Sequence, residues 1–212
     1  IRSSTISKGE TNGIQVHGSA APRILNTEVI RNVHNGLLTI GQARPTIMNC
    51  SFLNNTWNGI YVFETSTPKF TDCIFGHNRL GIMIDGGSAP VFQSCTSRYN
   101  EAGIETYGNS APSFTDCTVV GSNTTGIATF EYSTPAFSNC TSSADNYRGV
   151  QTTDNSAPLF GNCTFSDSNG SGISTFVYSA PVFTDCISLG ARDIGIGTAQ
   201  SSTPVCKNCT VS

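Results

Sequence analysis

Nine prolines stand in this chain, at Pro22, Pro45, Pro68, Pro90, Pro112, Pro135, Pro158, Pro181 and Pro204, and every interval between them is 22 or 23 residues. Loops of independent length do not produce so regular a period. Two further residue types keep step with it. A glycine lies nine residues before each proline: Gly13, Gly36, Gly59, Gly81, Gly103, Gly126, Gly149, Gly172 and Gly195. Five residues after eight of the prolines comes a cysteine: Cys50, Cys73, Cys95, Cys117, Cys140, Cys163, Cys186 and Cys209. Thr27 interrupts that column, and Cys206 lies outside it. All length variation falls between cysteine and glycine, where the segments Cys73 to Gly81 and Cys95 to Gly103 are one residue short. A repeat of this size that runs through the whole chain is the signature of a solenoid.

The kind of solenoid follows from what each unit contains. Proline, glycine and many Ser, Thr and Asn, with no apolar residues at 3.6 spacing, exclude a helical repeat. The short apolar segments read as strands: Val91-Phe92 and Ala136-Phe137 after the proline, Cys117 to Val119 and Cys163 to Phe165, and Gly172 to Thr175. Three short strands per coil joined by polar corners describe an all-β parallel β-helix of about nine coils, filling 1–212 as one domain. Alternation assigns its interior. One inward column is Ile24, Ile47, Phe70, Phe92, Phe114, Phe137, Phe160 and Phe183; another is Leu37, Ile60, Ile82, Ile104, Ile127, Val150, Ile173 and Ile196. Thr106, Thr129, Thr152, Thr175 and Thr198 face inward by the same rule.

The phrase Ser-Ala/Thr-Pro-x-Phe-Thr-Asp/Asn-Cys-Thr, followed by Gly-Ile-x-Thr, resembles the right-handed parallel β-helix repeats of the pectate lyase-like superfamily, including NosD-type repeat proteins. The resemblance spans essentially the whole chain and implies a right-handed coil. It implies no single function, because that superfamily holds lyases, hydrolases, tailspikes, adhesins and accessory proteins. Its members often carry Asn at the inner corner where this chain has Cys, so a side-chain amide ladder is expected to be missing here.

The repeat columns have structural explanations. Proline fixes φ at a strand start, and the serine before it can bond the corner backbone. Glycine before Ile suits positive φ or close approach of coils. In-register cysteines have parallel Cβ atoms, poorly placed for a relaxed disulfide, so the column reads as buried reduced thiols acting as small apolar corner residues. The pair Cys206 and Cys209 resembles half a zinc ribbon without a second half, so no metal ligands and no cofactor are expected. Sequons at Asn49, Asn54, Asn123, Asn139, Asn162, Asn169 and Asn208 arise largely from the repeated Asn-Cys-Thr/Ser phrase.

Eleven Lys and Arg against fourteen Asp and Glu leave a formal charge of −3, with no basic patch for nucleic acid. No apolar run approaches the roughly 18 residues of a membrane span. The segment after Gly-Ile carries the most informative chemistry. Tyr61, Phe63, Glu64, Glu105, Tyr107, Phe130, Glu131, Tyr132, Phe176 and Tyr178 recur there, with Asp85 and Asp154. Pointing outward, they form an aromatic and acidic stripe suited to stacking on sugar rings and bonding their hydroxyls; pointing inward, the Phe members are core at a bend.

Three function classes follow. The leading expectation is an extracellular or cell-surface structural or adhesive rod that contacts a glycan along the stripe and stacks end to end, because both ends of the chain fall in mid-repeat without caps or belong to a longer solenoid. The alternative is a carbohydrate-active enzyme or tailspike-like module, with His77, Arg79, Asp85 and Glu105 as the best polar cluster. The aspartates Asp72, Asp116 and Asp185 recur at another corner but are interrupted and too far apart for paired-carboxylate hydrolysis. Ice binding would need a regular outward array; the column Ser51, Ile74, Thr96, Thr118, Thr141, Thr164, Ile187 and Thr210 is flanked by neighbours too irregular for one.

Overall fold

The computed structural model describes residues 1–212 and contains strands and turns, with no helix. Twenty-eight strands of two to five residues wind into three parallel sheets. The first sheet has ten strands, from Thr5–Ser7 to Thr210–Val211; the second has nine, from Ile14–Val16 to Ile196–Thr198; the third has nine, from Arg23–Leu25 to Val205–Lys207. Each coil contributes one strand to each sheet, and each strand pairs with its counterpart 22 or 23 residues away. No helix is long and apolar enough to cross a membrane.

Like residues stack on like inside the coil. Phe70, Phe92, Phe114, Phe137, Phe160 and Phe183 form one continuous pile with ring centroids 4.6–4.9 Å apart and planes within 8° of parallel. Phe75 and Phe165 reach in from the first sheet and meet this pile edge-on. Between them the same inward position shrinks to Ser97, Val119 and Ser142, and Ser97 donates a 2.9 Å hydrogen bond to the Gly103 carbonyl. The isoleucine column and Thr106, Thr129, Thr152 and Thr175 are buried as alternation requires. These threonines share hydrogen bonds of 3.0–3.1 Å with Ser133, Ser156, Ser179 and Ser202 of the next coil, two residues before each proline. These four pairs match buried hydroxyls with each other, whereas Thr39, Ser88 and Ser110 of the same columns stand unpaired.

Three expectations about the columns change. The glycines before Ile have no positive φ; they are required by close approach. A Cβ on Gly59 would sit 2.6 Å from the Gly81 carbonyl oxygen, and one on Gly81 would sit 2.6 Å from that of Gly103. The cysteines are more than apolar fillers. Cys50, Cys73, Cys95, Cys117, Cys140, Cys163 and Cys186 are buried and free, and each Sγ reaches the carbonyl two residues back, at 3.2–3.3 Å. Thr27 and Ser4 fill the same column and make the same bond through oxygen, at 2.9 Å each. The position therefore selects a small side-chain donor, since the residue before it turns the chain through positive φ, as Asn49, Asp72 and Asp116 do. Finally, an amide ladder is present, at another corner. Asn32, Asn55, Asn78 and Asn100 are buried one above the other, each of the first three donating its backbone N–H to the next side-chain oxygen at 2.8–3.1 Å.

Candidate functional site

The outer face of the second sheet gathers most of the aromatic and acidic residues. Within its strands Ile60 and Val62 point into the core, so Tyr61 points out. Backbone pairing stacks Tyr61, Met83, Glu105, Ala128, Gln151 and Ser174 in one outward column. Two residues on, the backbone hydrogen bonds continue in register and stack Phe63, Asp85, Tyr107, Phe130, Thr153 and Phe176 in a second. The phenylalanines of this column are half-buried against neighbours on the face, not folded into the core.

From the third coil on, each coil then reverses through two consecutive residues of positive φ, among them Glu64–Thr65, Gly86–Gly87, Glu131–Tyr132 and Val177–Tyr178. A 3.0 Å bond from the Ser133 N–H to the Phe130 carbonyl closes one such turn. This is type I′ geometry, which Asn and Gly adopt cheaply and bulky residues do not. Glu64, Glu131, Tyr132 and Tyr178 therefore stand at the rim of the face rather than on it, with Tyr132 61% and Tyr178 65% exposed.

Contacts on the face couple rings to carboxylates. Tyr107 stacks on Phe130 at 4.6 Å with planes 8° apart, and Tyr61 lies 5.5 Å from Phe63. The Tyr107 hydroxyl donates a 2.8 Å hydrogen bond to Glu105 Oε2. Burial raises the Glu105 carboxyl above the ordinary carboxylate range, against the opposing pull of that bond and of the Arg79 charge. Burial, together with Asp85 and its hydrogen bond, likewise raises the Tyr61 hydroxyl. Burial and the adjacent Glu105 raise Tyr107.

His77, Arg79, Asp85 and Glu105 do not form one cluster. Asp85 and Glu105 share the face, and Arg79 sits on its flank in a loose 3.9 Å pair with the exposed Glu101. His77 occupies a positive-φ corner and stacks on Tyr99 at 5.5 Å. Asp72, Asp116 and Asp185 are exposed corner residues of positive φ; Asn139 and Asn208 donate to Asp116 and Asp185 at 3.2 Å. No group of three or more His, Cys, Asp or Glu is arranged to hold a metal ion.

Sequence reasoning missed the aromatic members of the flank that carries Arg79. His34 and Trp57 lie 4.8 Å apart there, and Trp57 is half exposed. Four coils beyond Trp57, Arg148 lies over the Tyr147 ring at 4.0 Å and near that of Phe176 at 5.4 Å. Its two guanidinium nitrogens donate to Gln151 Oε1 at 2.9 Å and the Tyr147 hydroxyl at 3.0 Å. No carboxylate pairs with it. The signal was positional: His34, Trp57 and Tyr147 stand two residues before the repeat glycine, the position that Arg79 holds in its own coil.

Comparison with known proteins places this geometry in context. The family described as the right handed beta helix region matches residues 1–141 and 102–212, which together cover the chain. No curated protein sequence matches. Among solved structures, the periplasmic alginate epimerase AlgG is similar with a TM-score of 0.74 at 12% identity, over 92% of this chain and 51% of that one. The tailspike protein gp49 from Pseudomonas phage LKA1 gives 0.62 at 12% identity, over 100% of this chain and 49% of that one. The pectate lyase Pel9A gives 0.52 at 11% identity, over 93% of this chain and 70% of that one. The chain spans about half the length of the epimerase and the tailspike, and at these identities the likeness concerns the fold. The chain belongs to the right-handed β-helix family.

Proposed function

We propose that this β-helix is an extracellular or cell-surface module that binds an extended polysaccharide along the outer face of its second sheet, and that the polymer it prefers is anionic. The observation that carries the reading is the in-register outward array: Tyr61 and Phe63, Tyr107, Phe130 and Phe176 project from four of six consecutive coils, Asp85 and Glu105 offer acceptors, and Arg148 offers an unpaired cation set over the Tyr147 ring. A polymer lying along the axis would meet outward aromatic side chains on four of these six coils. Aromatic stacking supplies contact area, and the guanidinium can take a carboxylate by a two-pronged bond. The alginate epimerase and the pectate lyase of similar fold support a carbohydrate ligand.

Binding to immobilised alginate, polygalacturonate and a neutral glucan, measured by surface plasmon resonance, tests the proposal. Anionic polymers are expected to bind, with Tyr107→Ala and Phe130→Ala weakening every ligand and Arg148→Gln weakening only the anionic ones. Equal loss on the neutral polymer in Arg148→Gln removes the assigned preference, and full binding in both aromatic variants removes the site. A second reading, turnover, is favoured by one observation: Glu105 is a half-buried carboxyl bonded to Tyr107 and raised toward a protonated acid. Turnover that Glu105→Gln abolishes while binding persists would assign it as catalytic.

A further inference from the structure

One corner breaks the repeat. The two segments that are a residue short, Cys73 to Gly81 and Cys95 to Gly103, belong to neighbouring coils and run through the corner between the first and second sheets. His77 and Tyr99 open that corner in these coils, both at positive φ. The flanking coils fill the position with Asn54 and Gly121, residues that adopt this conformation cheaply. Bulky rings are costlier there, and strain of this kind clusters at binding sites. The two rings stack at 5.5 Å, and Tyr99 leans over Gly121, where a Cβ would lie 2.7 Å from its Cδ1. Between those neighbours Tyr99 is still 56% exposed.

Arg98 stands beside this pair. It points outward from the first sheet, because Ser97 before it is buried inside. Its stem reaches back over Gly76, where a Cβ would lie 3.2 Å from Arg98 Cγ and 3.3 Å from Leu53 Cδ2. Gly76 immediately precedes His77, whose N–H donates to the Arg98 carbonyl at 3.2 Å. The arginine stem is therefore laid against the corner that carries both rings. Arg98 Nε is buried and has no hydrogen-bond partner. The one ion pair of the chain joins Arg79 to Glu101 in the same two coils, so no carboxylate neutralises Arg98. A half-buried guanidinium without a counter-charge is favourable only when an acceptor comes from outside.

We infer that Arg98, His77 and Tyr99 form a site for an oxyanion: a carboxylate, sulfate or phosphate group. The guanidinium supplies the charge and a planar set of donors matched to such a group. Imidazole and phenol add donors from the corner. The site lies on another part of the coil than Tyr107 and Arg148, and a single acid group fills it.

NMR of the arginine Nε–H groups reads the site directly, since the Arg98 Nε is shielded from solvent. The probes are sodium sulfate, sodium phosphate and sodium galacturonate, each compared with sodium chloride at equal ionic strength. The Arg98 signal, identified by its loss in Arg98→Lys, is expected to shift saturably with one or more of the three, and the tightest names the source of the anion. His77→Ala and Tyr99→Phe should each weaken that binding about threefold or more with an unchanged far-UV spectrum. No saturable shift, the same shift in every arginine signal, or undiminished affinity in both variants overturns the site. None of these results touches the polysaccharide proposal, which is read at Arg148 and by polymer binding.

Discussion

Asp145→Asn should stabilise this protein, and by an amount that depends on pH. Asp145 is fully buried at the ladder position that Asn32, Asn55, Asn78 and Asn100 occupy in earlier coils. Its Oδ1 still accepts the Ser122 N–H at 3.0 Å, as an amide oxygen would. The other half of the pattern is broken. Asn100 donates through Nδ2 to Ser97 Oγ at 3.0 Å and to the Phe75 carbonyl at 3.1 Å, which frees Ser97 to donate to Gly103. At Asp145 the Ser142 hydroxyl, with one proton, lies 2.8 Å from Asp145 Oδ2 and 3.2 Å from the Gly149 carbonyl. An ionised Asp145 takes that proton and leaves Gly149 without it. Burial raises this carboxyl from 3.8 to about 6, opposed by the bonds from Ser142 and Ser122. A shift of about two units corresponds to about 3 kcal/mol. The folded pKa lies above the unfolded one, so the folded chain binds more protons between the two values. The stabilising protonation is fully present below about 4 and is lost as pH rises through about 6. Asparagine donates at every pH. The variant should therefore exceed the parent by about 3 kcal/mol at pH 7, about 6–12 °C in melting temperature, and by under about 1 kcal/mol at pH 4. Thermal melts of both proteins from pH 4 to pH 8 measure the difference. An advantage that is constant across that range, or a less stable variant at pH 7, refutes the assignment of Asp145 as a strained member of an amide ladder.

Other substitutions follow from the same geometry. Gly59→Ala should cost about 3 kcal/mol or more in urea denaturation, because the added Cβ meets the backbone carbonyl of Gly81 rather than a side chain that can move. Cys117→Ala should cost about 1 kcal/mol more than Cys117→Ser, since serine keeps the bond to the Thr115 carbonyl and alanine does not; equal losses would return the column to simple space-filling. The double change Val177→Asn with Tyr178→Gly should raise the melting temperature by relieving two side chains of positive φ, about 1–2 kcal/mol each, while weakening glycan binding if Tyr178 closes the rim.

The coil was legible because its determinants repeat. A buried position recurs nine times at a fixed offset from proline, so Phe114 or Ile127 is identified as core by its column even though either alone is an ordinary apolar residue. The same redundancy hid the reasons behind two columns. Glycine before Ile is compatible with both positive φ and close approach, and only the neighbouring carbonyl distinguishes them. The cysteine position looked apolar because eight thiols outvote one threonine and one serine. Yet Thr27 and Ser4 were the informative members, since a hydroxyl tolerated in a buried column marks a donor that some carbonyl requires. The ladder of Asn32 to Asn100 was obscured differently: it lies in a polar corner where asparagine is common for turn chemistry alone.

The outer face was legible in composition and illegible in direction. Alternation settles where Tyr61 and Glu105 point, because each lies inside a strand between two core residues. It cannot settle Glu131, Tyr132 or Tyr178, which follow the strand and turn with the backbone. Their conformation bears on function. Neighbouring coils make the same reversal with Gly86–Gly87 and Gly108–Asn109, so the turn has an inexpensive solution. Keeping Glu131–Tyr132 and Val177–Tyr178 there costs backbone strain and returns little core burial, since both tyrosines are exposed. On the proposed function, strain held at this rim beside the face of stacked rings serves contact with a ligand from outside. The two tyrosines are therefore better placed as the wall of a polymer track than as parts of the coil, and stabilising Tyr178→Gly at the expense of binding would separate those roles.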